Sequence, residues 1–328
     1  MKPLSRHLRL RPTLASEFWL IGSAPDIPEL YSPYLLDRPE YVDHHLFRGP
    51  DGTWHLWGCI RGMATGRILY HWEGERLDKG PWRPTGESMR PDRSTGESIA
   101  DWEGREWIQS PFVVKSDNLF YFFYGGHSTG FDRYGGAVPP GDPRVECQIC
   151  LMTSTDGRHW ERHRDEHGQS RLFVGPGEAR DPCVIRIEGA EAAWHMYYAG
   201  YESGDPLRPG IYLRTSTDLI HWSNPCLVHR DSRFGIGRWT HECPQVVQRG
   251  GRFYLFRTED YDHARTHVYW SEDPNDFGID QTAGEKYLSL LPLAAPEVIV
   301  DEDGCEYVTS CHDLVNGVQI CRLAWIEG

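Results

Sequence analysis

The 328-residue sequence contains no apolar run near the ~20 residues that a membrane-spanning helix needs, and its mean hydropathy is -0.57. Basic charge is scarce: 34 Lys+Arg stand against 48 Asp+Glu, a formal net charge of -14. A chain this acidic lacks the basic face that nucleic acid or an anionic membrane requires, so neither is expected as a partner. No apolar segment follows the start at Met1-Lys2-Pro3-Leu4-Ser5-Arg6, so no secretory leader is read there and a cytoplasmic location is the expectation. Amphipathic helical periodicity is almost absent, and the best short candidate runs from Gly284 to Leu291. Metal-site spacing is missing too. The nine cysteines read as reduced, packed thiols. Cys147-Gln148-Ile149-Cys150 lies in an apparent strand, where residues three apart face opposite ways, and no second pair follows at zinc spacing. None of the 16 histidines forms a His-x-x-x-His pair on a helix. No metal ligand set and no cofactor is predicted.

What the chain does have is 34 Gly, 23 Pro, 13 Trp and 16 Tyr, the punctuation and the strand formers of an all-β fold. The strands repeat. One unit runs Ser110-Pro111-Phe112-Val113-Val114, then Phe120 to Tyr124, then Ile149 to Ser154. Others begin at Asp181-Pro182-Cys183-Val184-Ile185, at Cys243-Pro244-Gln245-Val246-Val247 and at Ala295-Pro296-Glu297-Val298-Ile299, and a divergent copy begins at Asp43-His44-His45-Leu46-Phe47. Three units end in a Ser-x-Asp tail that leads to Trp160, Trp222 or Phe277 and offers the start of a fourth strand. Equivalent positions recur every ~55 to 75 residues, and four-stranded units repeated radially make a propeller. The expected fold is all-β: a single five-bladed β-propeller over 1-328, with blades at 41-73, 107-160, 178-224, 240-280 and 292-326. Residues 1-40 are expected to close or flank it. A β-sandwich is the alternative, but it would not need five units in one internal order.

In a propeller the innermost strand of each blade lines the central channel, so matched positions converge near the axis. Aligned on the paired apolar residues of that strand, one column reads Asp43, Ser110, Asp181, Cys243 and Ala295. The column before it reads Val42, Gln109, Arg180, Glu242 and Ala294. Asp43, Asp181 and Glu242 therefore share the mouth of one funnel. Like charges raise one another's pKa, so a fold does not gather them for stability. Glycoside hydrolysis needs that arrangement, with one protonated carboxyl and one ionised one. The bland alternative, three unrelated strand caps, does not require the matched slots.

Arg180-Asp181-Pro182 and Glu242-Cys243-Pro244 resemble the Arg-Asp-Pro and Glu-Cys-Pro motifs of glycoside hydrolase family 32, the invertase and fructosidase group. Asp43, eleven residues before Trp54-His55-Leu56-Trp57, resembles that family's first acid. The similarity extends to family 43, the arabinofuranosidases and xylosidases, and covers roughly residues 41-325. The resemblance implies an O-glycosyl hydrolase acting on a small oligosaccharide or glycoside. Asp43 would be the nucleophile, Glu242 the acid and then the base, and Asp181 the stabiliser, with Arg180 keeping Asp181 ionised. The family-43 version would use Asp43 as general base and invert the anomeric centre. Where family 32 has Asn-Asp-Pro-Asn-Gly, this chain has Val42-Asp43-His44-His45-Leu46. The C-terminal β-sandwich usual in family 32 is not expected.

Around the three acids, Gln109, Arg180, His241, His44 and Trp107 are the candidate substrate-binding residues. Gly126-His127-Ser128-Thr129-Gly130 matches a nucleophile elbow but precedes no helix, so it reads as a rim loop from which His127 reaches substrate. His312 is a candidate for the channel floor, where an ion or water is possible. Asp301-Glu302-Asp303-Gly304 reads as a hairpin turn. A non-catalytic carbohydrate-binding propeller is the reading of another class; it predicts that an acid is displaced from the funnel or locked in an ion pair.

Overall fold

The computed structural model describes residues 9-27, 39-63, 66-97, 107-126 and 147-327. The first strands, β1 (Leu10–Leu14) and β2 (Trp19–Ser23), have no sheet of their own. Four sheets follow in chain order. The first holds β3 (Glu40–Arg48), β4 (Trp54–Met63), β5 (Gly66–Gly74) and β6 (Arg83–Met89). The second holds β7 (Gln109–Ser116), β8 (Leu119–Gly125) and β9 (Gln148–Ser154), with short β10 (Glu161–Arg162) and β11 (Arg171–Val174) both on β9. The third is β12 (Arg180–Arg186), β13 (Trp194–Glu202), β14 (Asp205–Ser216) and β15 (Cys226–His229). The fourth is β16 (Glu242–Arg249), β17 (Arg252–Asp260), β18 (Arg265–Ser271) and β19 (Tyr287–Pro292). In the fifth, β20 (Val298–Val300), β21 (Glu306–Ser310) and β22 (Gly317–Glu327) are completed by β1, while β2 pairs the other end of β22. All ladders are antiparallel, and the architecture is a five-bladed β-propeller closed by its own N-terminal strands.

Helix is confined, among the described residues, to single turns. The expected helix from Gly284 to Leu291 is a four-residue turn, Ala283–Lys286, that runs straight into β19. The Leu288–Leu291 stretch is a strand because it covers the outer edge of β18, from Arg265↔Pro292 to Tyr269↔Tyr287. The fourth blade therefore reaches past residue 280, and the second reaches past 160 through β11. No disulfide forms among the nine cysteines, and both Cys147 and Cys150 are buried. Asp301 to Gly304 is the tight turn between β20 and β21, with Asp301 Oδ1 accepting from the Asp303 and Cys305 amides.

The repeated Ser-x-Asp tails are side-chain-stabilised turns. Ser154 Oγ meets Asp156 Oδ1 at 2.9 Å, whose oxygen also accepts from the Arg158 and His159 amides, and Ser216 with Asp218 repeats the pattern. Each turn aims an aromatic wedge at the preceding blade. Trp160 stands edge-on to Phe122 and reaches Phe47, Trp222 meets Phe123, and Phe277 meets Tyr197. The apolar core is accordingly divided between neighbouring blades: Phe112, Phe123, Leu151, Val184, Tyr197, Val246 and Leu255 belong to one cluster drawn from three sheets.

Closure of the fifth blade depends on Gly317. Its φ is +116°, and a Cβ there would collide with the Gly22 carbonyl oxygen where β2 pairs β22. Gly317→Ala should lower stability by about 3 kcal/mol, since it combines backbone strain with a clash. Gly189→Ala, also at positive φ but in open space, should cost only about 1–2 kcal/mol. Urea melts of the two variants make the comparison; equal losses would mean that the β2–β22 contact adds nothing.

Candidate active site

One irregularity recurs in the innermost strands. Between Tyr41 and His44, Gln109 and Phe112, Arg180 and Cys183, and Glu242 and Gln245, two residues on the inner strand oppose one on its partner. Each is a one-residue β-bulge at the strand head, a device that re-aims a side chain. Ser110, Asp181, Cys243 and Ala295 all sit at φ between 48° and 55°. Proline follows each of them, at the bulge, where no ladder amide is required. The column Asp43, Ser110, Asp181, Cys243 and Ala295 is thereby turned inward, around a cavity of about 30 Å³ that it lines together with Pro182, Gln245 and Glu297.

Within this ring the side chains bond one another. Ser110 Oγ lies 2.9 Å from Asp43 Oδ2 and 2.6 Å from Asp181 Oδ1. A hydroxyl has one proton to give and an ionised carboxylate only accepts, so both contacts are hydrogen bonds only if one acid is protonated. Burial, and next the neighbouring Asp43, raise the pKa of Asp181. The other Asp181 oxygen accepts from the Cys243 amide at 3.0 Å. On the far side of Asp43, Tyr261 Oη donates to Oδ1 at 2.8 Å, and the Cys243 thiol lies 2.7 Å from the same phenol.

Glu242 stands beside that ring. Its Oε1 accepts from Arg180 Nη2 at 2.7 Å, and its side chain is 16% exposed. Arg180 also gives Nη1 to Glu178, while its Nε stays 3.5 Å from Asp181 Oδ2. Arg180 thus pulls the Asp181 pKa down, but burial and the neighbouring Asp43 leave the net shift upward, and both terminal nitrogens of the guanidinium are directed to other carboxylates. Burial pushes the Glu242 carboxyl up to about 7, against the pull of Arg180 and with the help of Asp181 and Asp43.

The remaining candidates are distributed differently. Gln109 is buried and its Oε1 accepts from Arg67, whose guanidinium lies 5.1 Å over the Trp107 ring. His44 is buried against the fifth blade, with its ring nitrogens 3.0 Å from Cys311 Sγ and 2.6 Å from Thr309 Oγ1. His241 is 1% exposed and accepts from the Asp231 amide, with Thr240 on its other nitrogen, so it packs inside the fourth blade. His312 bonds Ser310 and stacks on Phe18. His127 and the rest of its Gly-x-Ser-x-Gly segment beyond Gly126 lie outside the described residues. Tyr261, Ser110, Cys243 and Glu178 are the members that motif reading passed over. Ser110 and Cys243 stand in the aligned column itself, whereas Tyr261 enters from the turn after β17 and carries no repeat signal.

Among the described residues two clusters offer metal-type donors within 4.8 Å of one another: Asp43, Asp181 and Cys243, and His55, His71 and Glu73. In the first, the thiol pKa is pushed well up by burial and the surrounding carboxylates, which disfavours the thiolate that a metal needs. In the second, Glu73 is already paired with Arg83 and Arg158, and the two imidazoles bond each other at 3.0 Å.

No protein-family profile matches the chain, and no curated protein sequence matches it. Solved structures match its fold. A thermostable family-43 glycoside hydrolase superposes with a TM-score of 0.59 at 16% identity, over 90% of this chain and 91% of that one. An α-L-arabinofuranosidase from Lactobacillus brevis gives 0.57 at 14% identity, over 90% and 94%. A family-32 β-fructofuranosidase of Bombyx mori gives 0.58 at 17% identity, over 92% of this chain and 64% of that one.

The raised Glu242 pKa has a stability consequence. Below its ordinary value of 4.5 both folded and unfolded chains hold the proton; between there and about 7 only the folded chain does. The stabilisation from that proton is complete at low pH and lost as pH rises through 7. The stability of wild type relative to Glu242→Gln should therefore fall by on the order of 2–3 kcal/mol between pH 5 and pH 8. Urea denaturation at the two pH values measures it, and a constant difference would place the carboxyl in its ordinary range.

Proposed function

We propose that the protein is a glycoside hydrolase of furanose- or pentose-type glycosides, working through two carboxyl groups with a third in support. The observation that carries this reading is Glu242: a partly exposed carboxyl, buried enough to be half protonated near neutral pH, on the same funnel as Asp43. An acid so poised gives a proton to a leaving glycosidic oxygen and can take one back from water. Asp43, which accepts from Tyr261 and Ser110, is the partner. In the retaining course its carboxylate attacks the anomeric carbon as Glu242 protonates the departing oxygen; water, deprotonated by Glu242, then releases the sugar. Asp181, at the axis between them, is suited to hold sugar hydroxyls and to stabilise the developing positive charge. The two short motifs favour a β-fructosidase-like course.

A second reading has its own support. The chain covers more than nine-tenths of the family-43 structures above but 64% of the family-32 one. In an inverting, arabinofuranosidase- or xylosidase-like course, Asp43 takes the proton of the attacking water instead of bonding to carbon. A binding-only propeller has no use for a carboxyl held near pKa 7 beside a second acid, and the acid–arginine contact here is shared rather than locked.

The test is hydrolysis of a panel of p-nitrophenyl furanosides and pyranosides together with sucrose-type and pentose oligosaccharides. Glu242→Gln should lower kcat by about 10²–10⁴-fold on natural leaving groups, and by less on p-nitrophenol, which departs without a proton. The anomer released first, read by proton NMR, separates the retaining from the inverting course. Wild type inactive on the whole panel, or equal to the variant, would leave the carboxyls as a binding site.

A further inference from the structure

Glu178 is a buried acid that the reaction as drawn does not use. It lies two residues before Arg180, in the bend that leads into β12. The Glu178 side chain is 4% exposed and Arg180 7%. One arm of the guanidinium goes to Glu178 Oε2 and the other, at 2.7 Å, to Glu242 Oε1. The other Glu178 oxygen lies 3.5 Å from Arg238 Nε, and Arg238 in turn donates to Tyr201 Oη at 3.2 Å. A buried arginine with Glu242 as its sole partner would form an ordinary ion pair and hold that carboxyl ionised. Here its charge is divided.

We propose that Glu178 is a positioning residue for Glu242: by holding one arm of Arg180 it keeps that cation from pairing fully with Glu242, and so leaves Glu242 able to carry the proton it delivers. The proposal rests on the glycosidase reading for the use of that proton, but the division of the Arg180 charge stands on geometry. The groups that face Glu242 are Arg180 and Asp181 from β12, Asp43 from β3, Arg61 from β4, and Cys243 and Tyr261 from the fourth blade. Arg61 is bonded to Glu40 at 2.6 Å, which leaves Arg180 the cation that contacts Glu242 directly. Glu178 faces Arg180 and Arg238. Removing the Glu178 charge strengthens the pull of Arg180 on Glu242; removing the Arg238 charge returns Glu178 wholly to Arg180 and weakens that pull. A residue that merely packs would not give opposite signs.

The experiment follows the Glu242 carboxyl directly, by infrared titration of the full-length protein, with the band assigned by its loss in Glu242→Gln. Glu178→Gln should lower the midpoint by about one pH unit, a tenfold loss of the protonated form above it. Glu178→Asp, which keeps the charge, should restore most of the loss, and Arg238→Gln should move the midpoint upward. Where a panel substrate is turned over, the alkaline limb of kcat/KM should move with the infrared midpoint, and kcat should change more than KM. A midpoint that stays put in folded Glu178→Gln, or that falls in Arg238→Gln, overturns the proposal. Should Glu178→Gln not fold, the Arg238→Gln shift decides alone. Infrared midpoints that move as stated in a protein inactive on every substrate would uphold the Glu178 relay and defeat the glycosidase reading.

Discussion

The one-residue bulge at the head of four inner strands is the constraint on which the rest of the site depends. In a regular strand alternate side chains point into the blade interfaces, and residues at successive positions cannot both face the channel. The extra residue breaks that alternation at one point in each of those four blades. The left-handed backbone at Ser110, Asp181, Cys243 and Ala295 carries strain of about 1–3 kcal/mol for each non-glycine residue, and the ladders on either side hold it in place. In the third and fourth blades the neighbouring residues Arg180 and Glu242 then meet beside the ring of Asp43, Ser110 and Asp181.

The site contains more acid than base. Asp43, Asp181, Glu242 and Glu178 face Arg180 and Arg238, while Arg61 is paired with Glu40. Burial, with the neighbouring acids adding to it, pushes the pKa values of Asp181 and Glu242 upward. Ser110 bridges Asp43 and Asp181, whose second oxygen takes the Cys243 amide. Glu242 receives only one arm of the guanidinium, and that arm is shared.

Much of this was legible in the sequence because it repeats. Aligning five strand starts on their apolar pairs put Asp43, Asp181 and Glu242 on one funnel with no structure in hand, and the propeller follows from the same alignment. What stayed hidden was whatever the repeat does not encode. Ser110 and Cys243 stood in the column, but their function depends on contacts between blades. Tyr261 arrives from a turn that has no counterpart in the other units. His44, read as a sugar contact, lines the cavity beside Asp43 while its ring bonds Thr309 and Cys311, and His45 behind it lies on Glu297 in the same seam with the fifth blade. The strand Tyr287–Pro292 looked helical because a four-residue helical turn leads into it and its apolar residues cover an edge, where strict alternation relaxes.

That seam ties the site to closure of the fold. His45 Nδ1 meets Glu297 Oε1 at 2.6 Å, Glu297 Oε2 accepts from the Leu46 amide at 3.0 Å, and His44 bonds Thr309. Each contact joins the first blade to the fifth within four residues of Asp43, and Glu297 lines the same cavity as the ring above it. A propeller is a ring of blades, and the spacing of its inner strands is fixed only when the last blade meets the first. Here the last blade is itself completed by β1 and β2, from the opposite end of the chain. The distance from Asp43 to Asp181, on which the Ser110 bridge depends, is therefore set by a contact made between residues some 300 positions apart. The seam thus fixes where Asp43 stands relative to the acids of the other blades, the placement on which the proposed two-carboxyl reaction depends.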